Sequence, residues 1–297
     1  MFSGVFLLTL LGIDWASGYA IAGYCMTHGV SPYGYAFWQS FGPFLVLLII
    51  QIIRKDLWIN KKGMIYALYC AIFGIVIPNL LIYIAVSKIP SGVLTIVANI
   101  SPIMTYILAV IFGVEKFNFN RIISVLFGVF GVLLIISSGH SVVRDAPILW
   151  VLFALLIPLS YAFSAVYISR FDPKSGNSLN YAMWMLLFST LCISPMTIFM
   201  NGHYPLRVSD LNTVLILLEI FLSVVGYVIL FIIIRKVGVV YYTLVNAVAV
   251  IAGVIYGRIM FHQELNGKIY IGVVMILLAI AGVSYFKSNV VDKVKKD

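Results

Sequence analysis

Hydrophobic residues run along this chain in blocks of about twenty, separated by short clusters of Lys, Arg, Asn, Asp, Gly and Pro. A helix crossing a ~30 Å hydrocarbon core needs about 20 apolar residues at 1.5 Å rise per residue. Ten blocks meet that length: 2–23, 33–53, 63–86, 90–113, 121–139, 147–169, 180–200, 211–234, 238–260 and 267–286. They predict an all-α integral membrane fold with ten transmembrane helices. The third and fourth blocks nearly touch at Lys88-Ile89-Pro90, where Pro90 and Ser91-Gly92 supply turn chemistry. The loops leave no room for a soluble catalytic or receptor domain.

Composition agrees: 63% of the 297 residues are hydrophobic and 10% are charged, where a soluble domain carries about 45–50% and 25%. An ordinary globular enzyme and a disordered chain are both excluded. The net charge of +9 reads as membrane topology rather than as a nucleic-acid surface. With a cytoplasmic N-terminus, the inner loops and tail hold 14 basic residues, among them Arg54, Lys55, Lys61, Lys62, Arg170, Lys174, Arg235 and Lys236. The outer side holds five: Lys88, Arg144, Arg207, Arg258 and Lys268. Both termini are therefore expected in the cytoplasm of a bacterium, with the chain in its inner membrane. Ala20-Ile21-Ala22 resembles a signal-peptidase site, but no basic segment precedes the first block, which is also long for a signal sequence; it is expected to stay as a helix. Cys25, Cys70 and Cys192 have neither disulfide nor metal-ligand spacing and read as packing residues.

The sequence also repeats itself. Tyr35-Ala36-Phe37-Trp38 matches Tyr181-Ala182-Met183-Trp184 at an offset of 146, which also sets Trp15 on Tyr161. An offset of 148 sets Phe73 on Phe221, Val76 on Val224 and Lys88 on Lys236. Each half holds five helices, so the second half enters the membrane from the opposite side. Two inverted-topology five-helix repeats around a central cavity are the architecture of a secondary carrier, with a site near the midplane. The expected domains are 1–139 for the first repeat, a linker at 140–146, 147–286 for the second repeat, and a basic cytoplasmic tail at 287–297.

The stretch from Ala85-Val86-Ser87-Lys88 through Asn99-Ile100-Ser101-Pro102 to Gly113-Val114-Glu115, on this 5+5 plan, resembles a bacterial member of the drug/metabolite transporter superfamily, with the paired EamA-type repeat as the best fit. Gly128-Val129-Phe130-Gly131 stands where the pattern has its glycine-containing final helix. The second repeat departs from the pattern, with Val250 in the place of Pro102 and His262-Gln263-Glu264 lacking the glycine. The resemblance implies export or exchange of small metabolites.

An ionisable group in hydrocarbon is costly, about 2.5–3.5 kcal/mol or more at a helix centre. Three fall inside the blocks: Asp14, Glu219 and Arg258. Arg258 lies near a block end and can snorkel to the interface. Asp14 and Glu219 lie nine and eight residues from the outer ends of their blocks, both roughly 12–14 Å deep. They come from opposite halves at matching heights. Helical spacing adds Asn79 and Tyr83 on helix 3, Asn99 and Tyr106 on helix 4, Ser164 with Tyr161 on helix 6, and Asn246 on helix 9. With Trp15 and Tyr227, these are the expected substrate-binding residues. Helices 5 and 10 are almost purely aliphatic and small, which suits a scaffold.

No Gly-x4-Gly-Lys-Ser/Thr, His-Glu-x-x-His or Gly-x-Ser-x-Gly occurs, so neither nucleotide-driven transport nor an intramembrane enzyme is expected, and no cofactor. The expected function is a secondary transporter of a small metabolite (amino acid-like, nucleoside-like or a cationic drug) working by alternating access as an exporter or exchanger. Proton coupling would run through Asp14 or Glu219. A flippase for a lipid-linked precursor is the alternative; the substrate and the oligomeric state are not legible. Accessibility labelling should find both chain ends on the cytoplasmic face; ends on different faces would break the even-pass topology.

Overall fold

The computed structural model describes residues 2–86, 97, 100–136, 148–174, 176–207, 210–249, 251–252, 255 and 267–286. The Lys88–Pro90 turn, Asn99, Arg258, the His262–Glu264 stretch, the 140–146 linker and the 287–297 tail lie outside them. The chain is all-helical among the described residues. The elements are α1 (Phe2–Thr27), α2 (Pro32–Arg54), α3 (Lys61–Ala71), a π-helical segment (Ile72–Val76), α4 (Ile77–Val86), α5 (Ser101–Ile111) and α6 (Phe119–Ile136) in the first half. The second half has α7 (Ile148–Ala154), α8 (Leu156–Arg170), α9 (Ser178–Phe199), α10 (Leu211–Lys236), α11 (Val239–Tyr242) and α12 (Gly267–Tyr285). Among the described residues, six helices are long and apolar enough to cross a membrane: Gly4–Met26, Pro32–Arg54, Lys61–Ile82, Leu152–Arg170, Ser178–Phe199 and Leu211–Lys236. Shorter apolar helices among the described residues, Ser101–Ile111, Phe119–Leu134, Val239–Ala249 and Gly267–Val283, overlap the remaining four expected blocks.

Local chemistry sets the ends. Asn60 caps α3 by accepting from the Gly63 amide at 2.8 Å. Asn177 and Asn180 form a reciprocal capping box on α9, and Asp210 accepts from the Asn212 amide at 3.0 Å to start α10. The Tyr204 hydroxyl also donates to Asp210, and that bond holds the Asp210 carboxyl below its usual range.

Several of the helices expected to be continuous are interrupted among the described residues. Pro78 has no N–H to offer the preceding turn, and the ladder slips upstream of it into the π segment, where the Ile77 amide reaches back to the Ile72 carbonyl. The Phe73 carbonyl in that segment accepts from the Ser160 hydroxyl of the other half at 2.8 Å. A turn at Leu155, three residues before Pro158, separates α7 from α8, and a turn at Thr243-Leu244 separates α11 from the helical residues that follow. Irregular backbone at membrane depth survives where it is buried in protein or lines a cavity.

The packing respects an exchange of halves. The α1–α10 pair is mirrored by α8 against α3–α4, and α2 against α10 by α9 against α3. The α2–α9 and α6–α12 pairs map onto themselves. Along α6–α12 the backbones meet closely: a Cβ on Gly131 would stand 2.7 Å from the Gly272 carbonyl oxygen, and one on Gly128 would stand 2.9 Å from Ala279. Without a hydrophobic driving force in lipid, such small-residue contacts let helices gain van der Waals attraction and associate.

Cross-repeat hydrogen bonds tie α2 to the segment around α9 at both ends. At one end the Trp38 indole donates to the Tyr204 carbonyl at 2.9 Å. At the other, the Asn177 side-chain amide donates to Asp56 at 2.7 Å and the Trp184 indole to the Leu57 carbonyl at 3.2 Å. Arg235 pairs with Asp172 at 2.7 Å and lies over the Tyr181 ring at 5.2 Å.

Gly131→Ala should lower stability by about 1–3 kcal/mol, because backbone must move to admit the methyl. Gly23→Ala, where nothing lies within 4 Å of the added Cβ, should not. Thermal melting in detergent checks the pair.

Candidate functional site

A cavity of about 560 Å³ opens between the two repeats, within the 300–1,000 Å³ range of small-molecule sites. Its wall comes from α1, α2, the π segment with α4, and α5 of the first half, and from α8, α10, α11 and residues 243–249 of the second. Helices α6 and α12 contribute nothing to it.

One wall is the seam between α1 and α10, which run past each other so that each acid lies against a glycine of the other helix. Asp14 Oδ2 lies 2.4 Å from where a Cβ on Gly226 would stand, and Glu219 Oε2 lies 2.9 Å from the corresponding point on Gly18. Any side chain at either glycine would displace a carboxylate. Both acids are buried, Asp14 with 7% and Glu219 with 4% of its surface exposed. Glu219 Oε1 accepts from the Gln39 amide at 3.0 Å and from the Ser223 hydroxyl at 3.1 Å, while Oε2 has no hydrogen-bond partner. Among the described residues lining the cavity, the charged side chains are Asp14 and Glu219. Arg121 is paired with Glu115 at 2.5 Å and Arg235 with Asp172.

The opposite wall is the mirror seam, where α8 faces the π segment and α4. There the offset of 146 sets Ser160 in the place of Asp14 and Ser164 in the place of Gly18. The Ser164 hydroxyl lies 2.7 Å from the Cβ position of Gly74. Aromatic rings line the space between the seams: Tyr161, Tyr227, and the Trp15–Tyr242 pair in edge contact at 6.0 Å.

Of the expected binding residues, Asp14, Trp15, Asn79, Tyr161, Ser164, Glu219, Tyr227 and Asn246 line this one cavity. Asn99 and the Tyr83 side chain lie outside the described residues. Tyr106 is a correction. It is 1% exposed and absent from the lining, because its hydroxyl is engaged by the loop before α6. It donates to the Asn118 carbonyl at 3.1 Å and accepts from the Asn118 amide at 2.8 Å. Its polar group closes that loop rather than facing the site.

Tyr35 and Gln39 also line the cavity, and neither stands among the expected binding residues. Gln39 follows Tyr35 by four residues, so both sit on one face of α2, and a lone amide inside an apolar block was the available signal. Tyr242 shares the interrupted helix of Asn246.

The sequence model described as the EamA-like transporter family matches this chain twice, over residues 2–137 and 148–285. A solved structure titled only "Crystal structure of protein" has the same fold, with a TM-score of 0.78 at 14% identity over 97% of this chain and 99% of that one. No curated protein sequence matches.

Tyr106→Phe should cost about 0.5–1.5 kcal/mol, since the half-buried Asn118 backbone amide loses its acceptor. Melting should register the loss while ligand binding in the cavity stays unchanged.

Proposed function

The chain belongs to the EamA-like transporter family, so it is a multi-pass membrane protein of transporter type, and from that premise we propose a secondary carrier that moves a small organic solute through the central cavity by alternating access. The observation that carries this reading is one cavity walled by both repeats, with an acid from each at its α1–α10 wall. Inverted repeats give two related conformations of opposite access, and interrupted helices at the cavity wall let segments reorient without exposing unsatisfied backbone to lipid. The cross-repeat bonds at both ends of α2 favour a motion that leaves α2 and α9 together and displaces the helices around the cavity against them.

In a bacterial inner membrane, with both termini in the cytoplasm as the basic loops suggest, the carrier works as an exporter or exchanger. Protons are the proposed coupling ion, because a buried carboxylate with no basic partner is stabilised either by a proton or by a cationic solute. The titratable groups on the wall are Asp14, Glu219 and the tyrosines at 35, 161, 227 and 242; of these the two acids are the proposed proton carriers.

A comparison of intracellular and medium metabolite pools in knockout and overexpressing cells should reveal a transported solute, and unchanged pools would count against the carrier reading. In proteoliposomes loaded with that solute, Asp14→Asn or Glu219→Gln should flatten the dependence of flux on pH. Unaltered pH profiles in both variants would remove proton coupling.

A further inference from the structure

The cavity's charge pattern bears on its cargo, and the following rests on the carrier reading above. Two carboxylates face one chamber whose described lining contains no Lys, Arg or His. Glu219 is already supplied with two donors at Oε1, from Gln39 and Ser223, which fix the side chain and leave Oε2 buried and unpartnered. A buried carboxylate oxygen left without a donor gains from an N–H or O–H that a solute in the adjoining cavity brings to it. Asp14, seated against Gly226 on the same seam, adds a second negative charge without an N–H of its own to offer.

We propose that the cavity binds an organic ammonium ion carrying at least one N–H. The head group lies along the α1–α10 seam, donates to Glu219 Oε2 and is neutralised by Glu219 and Asp14. The body packs on Trp15, Tyr161, Tyr227 and Tyr242, whose π faces also favour a cation. The Ser160–Ser164 seam is uncharged and receives the polar or apolar far end. This chemistry discriminates against carboxylates: an α-amino acid would bring its own negative group into a chamber with two acids and no cation to meet it. It also discriminates against quaternary ammonium ions, which keep the charge but lack the donor that Oε2 awaits. Amines whose carboxylate is absent or masked are therefore preferred over the amino acids they resemble.

The test uses the purified full chain in detergent with four probes of one shape: phenethylamine, its N-trimethyl derivative, L-phenylalanine and phenylacetate, read by isothermal titration. Phenethylamine should bind at least about tenfold more tightly than the trimethyl derivative, and the two carboxylates should bind more weakly still. Glu219→Gln and Asp14→Asn should each weaken amine binding by about tenfold or more. Gly18→Ala keeps every charge but crowds Oε2, and it should also weaken the amine; the melting curve of each variant is recorded beside its titration, so that lost recognition is read on folded protein. Equal binding of amine and carboxylate probes, no binding by any of the four, or amine binding indifferent to all three substitutions would overturn the proposal. The carrier reading is judged separately: an amine that binds but drives no counterflow in proteoliposomes refutes transport and leaves the site standing. Counterflow of anionic or neutral solutes that amines do not inhibit refutes the amine site and leaves the carrier standing.

Discussion

The close approach of α1 and α10 over glycine backbone is the contact on which the chamber depends. In lipid, helices associate through van der Waals packing and polar contacts rather than through hydrophobic exclusion, so how near two backbones come is set by the side chains between them. Here the missing Cβ atoms of Gly18 and Gly226 are the spaces that the Glu219 and Asp14 carboxylates occupy. Gly12 continues the theme on the same helix, where a Cβ would meet Val248 at 2.5 Å. Helix α1 is thus wedged between α10 and the segment after α11, and the acids sit on that seam in the spaces the glycines leave.

Exchange of the halves maps this seam onto the one between α8 and α3–α4, yet the chemistry of the two differs. The second seam carries Ser160 and Ser164 with Gly74, and Ser160 stabilises the carbonyl that the π segment frees. One backbone symmetry therefore frames a chamber with a negative pole and a hydroxyl pole. Such asymmetry within a symmetric scaffold lets a bound solute be oriented, while the α6–α12 pair and the bonded α2–α9 pair remain common to both halves.

Much of this was legible because the bilayer imposes a length and a periodicity that apolar blocks display directly. The depth of Asp14 and Glu219 followed from counting residues at 1.5 Å each from the block ends, and the repeat told which half each belongs to. Breaks in the helices were harder to see: Pro78 signals one, but the slip it causes lies upstream at Ile72–Val76, and nothing in Thr243-Leu244 distinguishes that turn from helix. Helical phase also fails to say which of two buried faces is wet. Tyr106 shares a stripe with the polar residues of its block but meets Asn118 instead, a partner whose position depends on loop geometry. Gln39 went unmarked because its partner is a side chain 180 residues away.

The direct measurement is disulfide formation across the α1–α10 seam in a background without the native cysteines. Asp14→Cys with Gly226→Cys, and Gly18→Cys with Glu219→Cys, set thiols on the two sides of each contact where a carboxylate meets the facing glycine. Both pairs should close on mild oxidation in the membrane, joining helices from opposite repeats at one level. Folded protein in which neither pair forms a bond would contradict the arrangement of the two acids at a shared chamber.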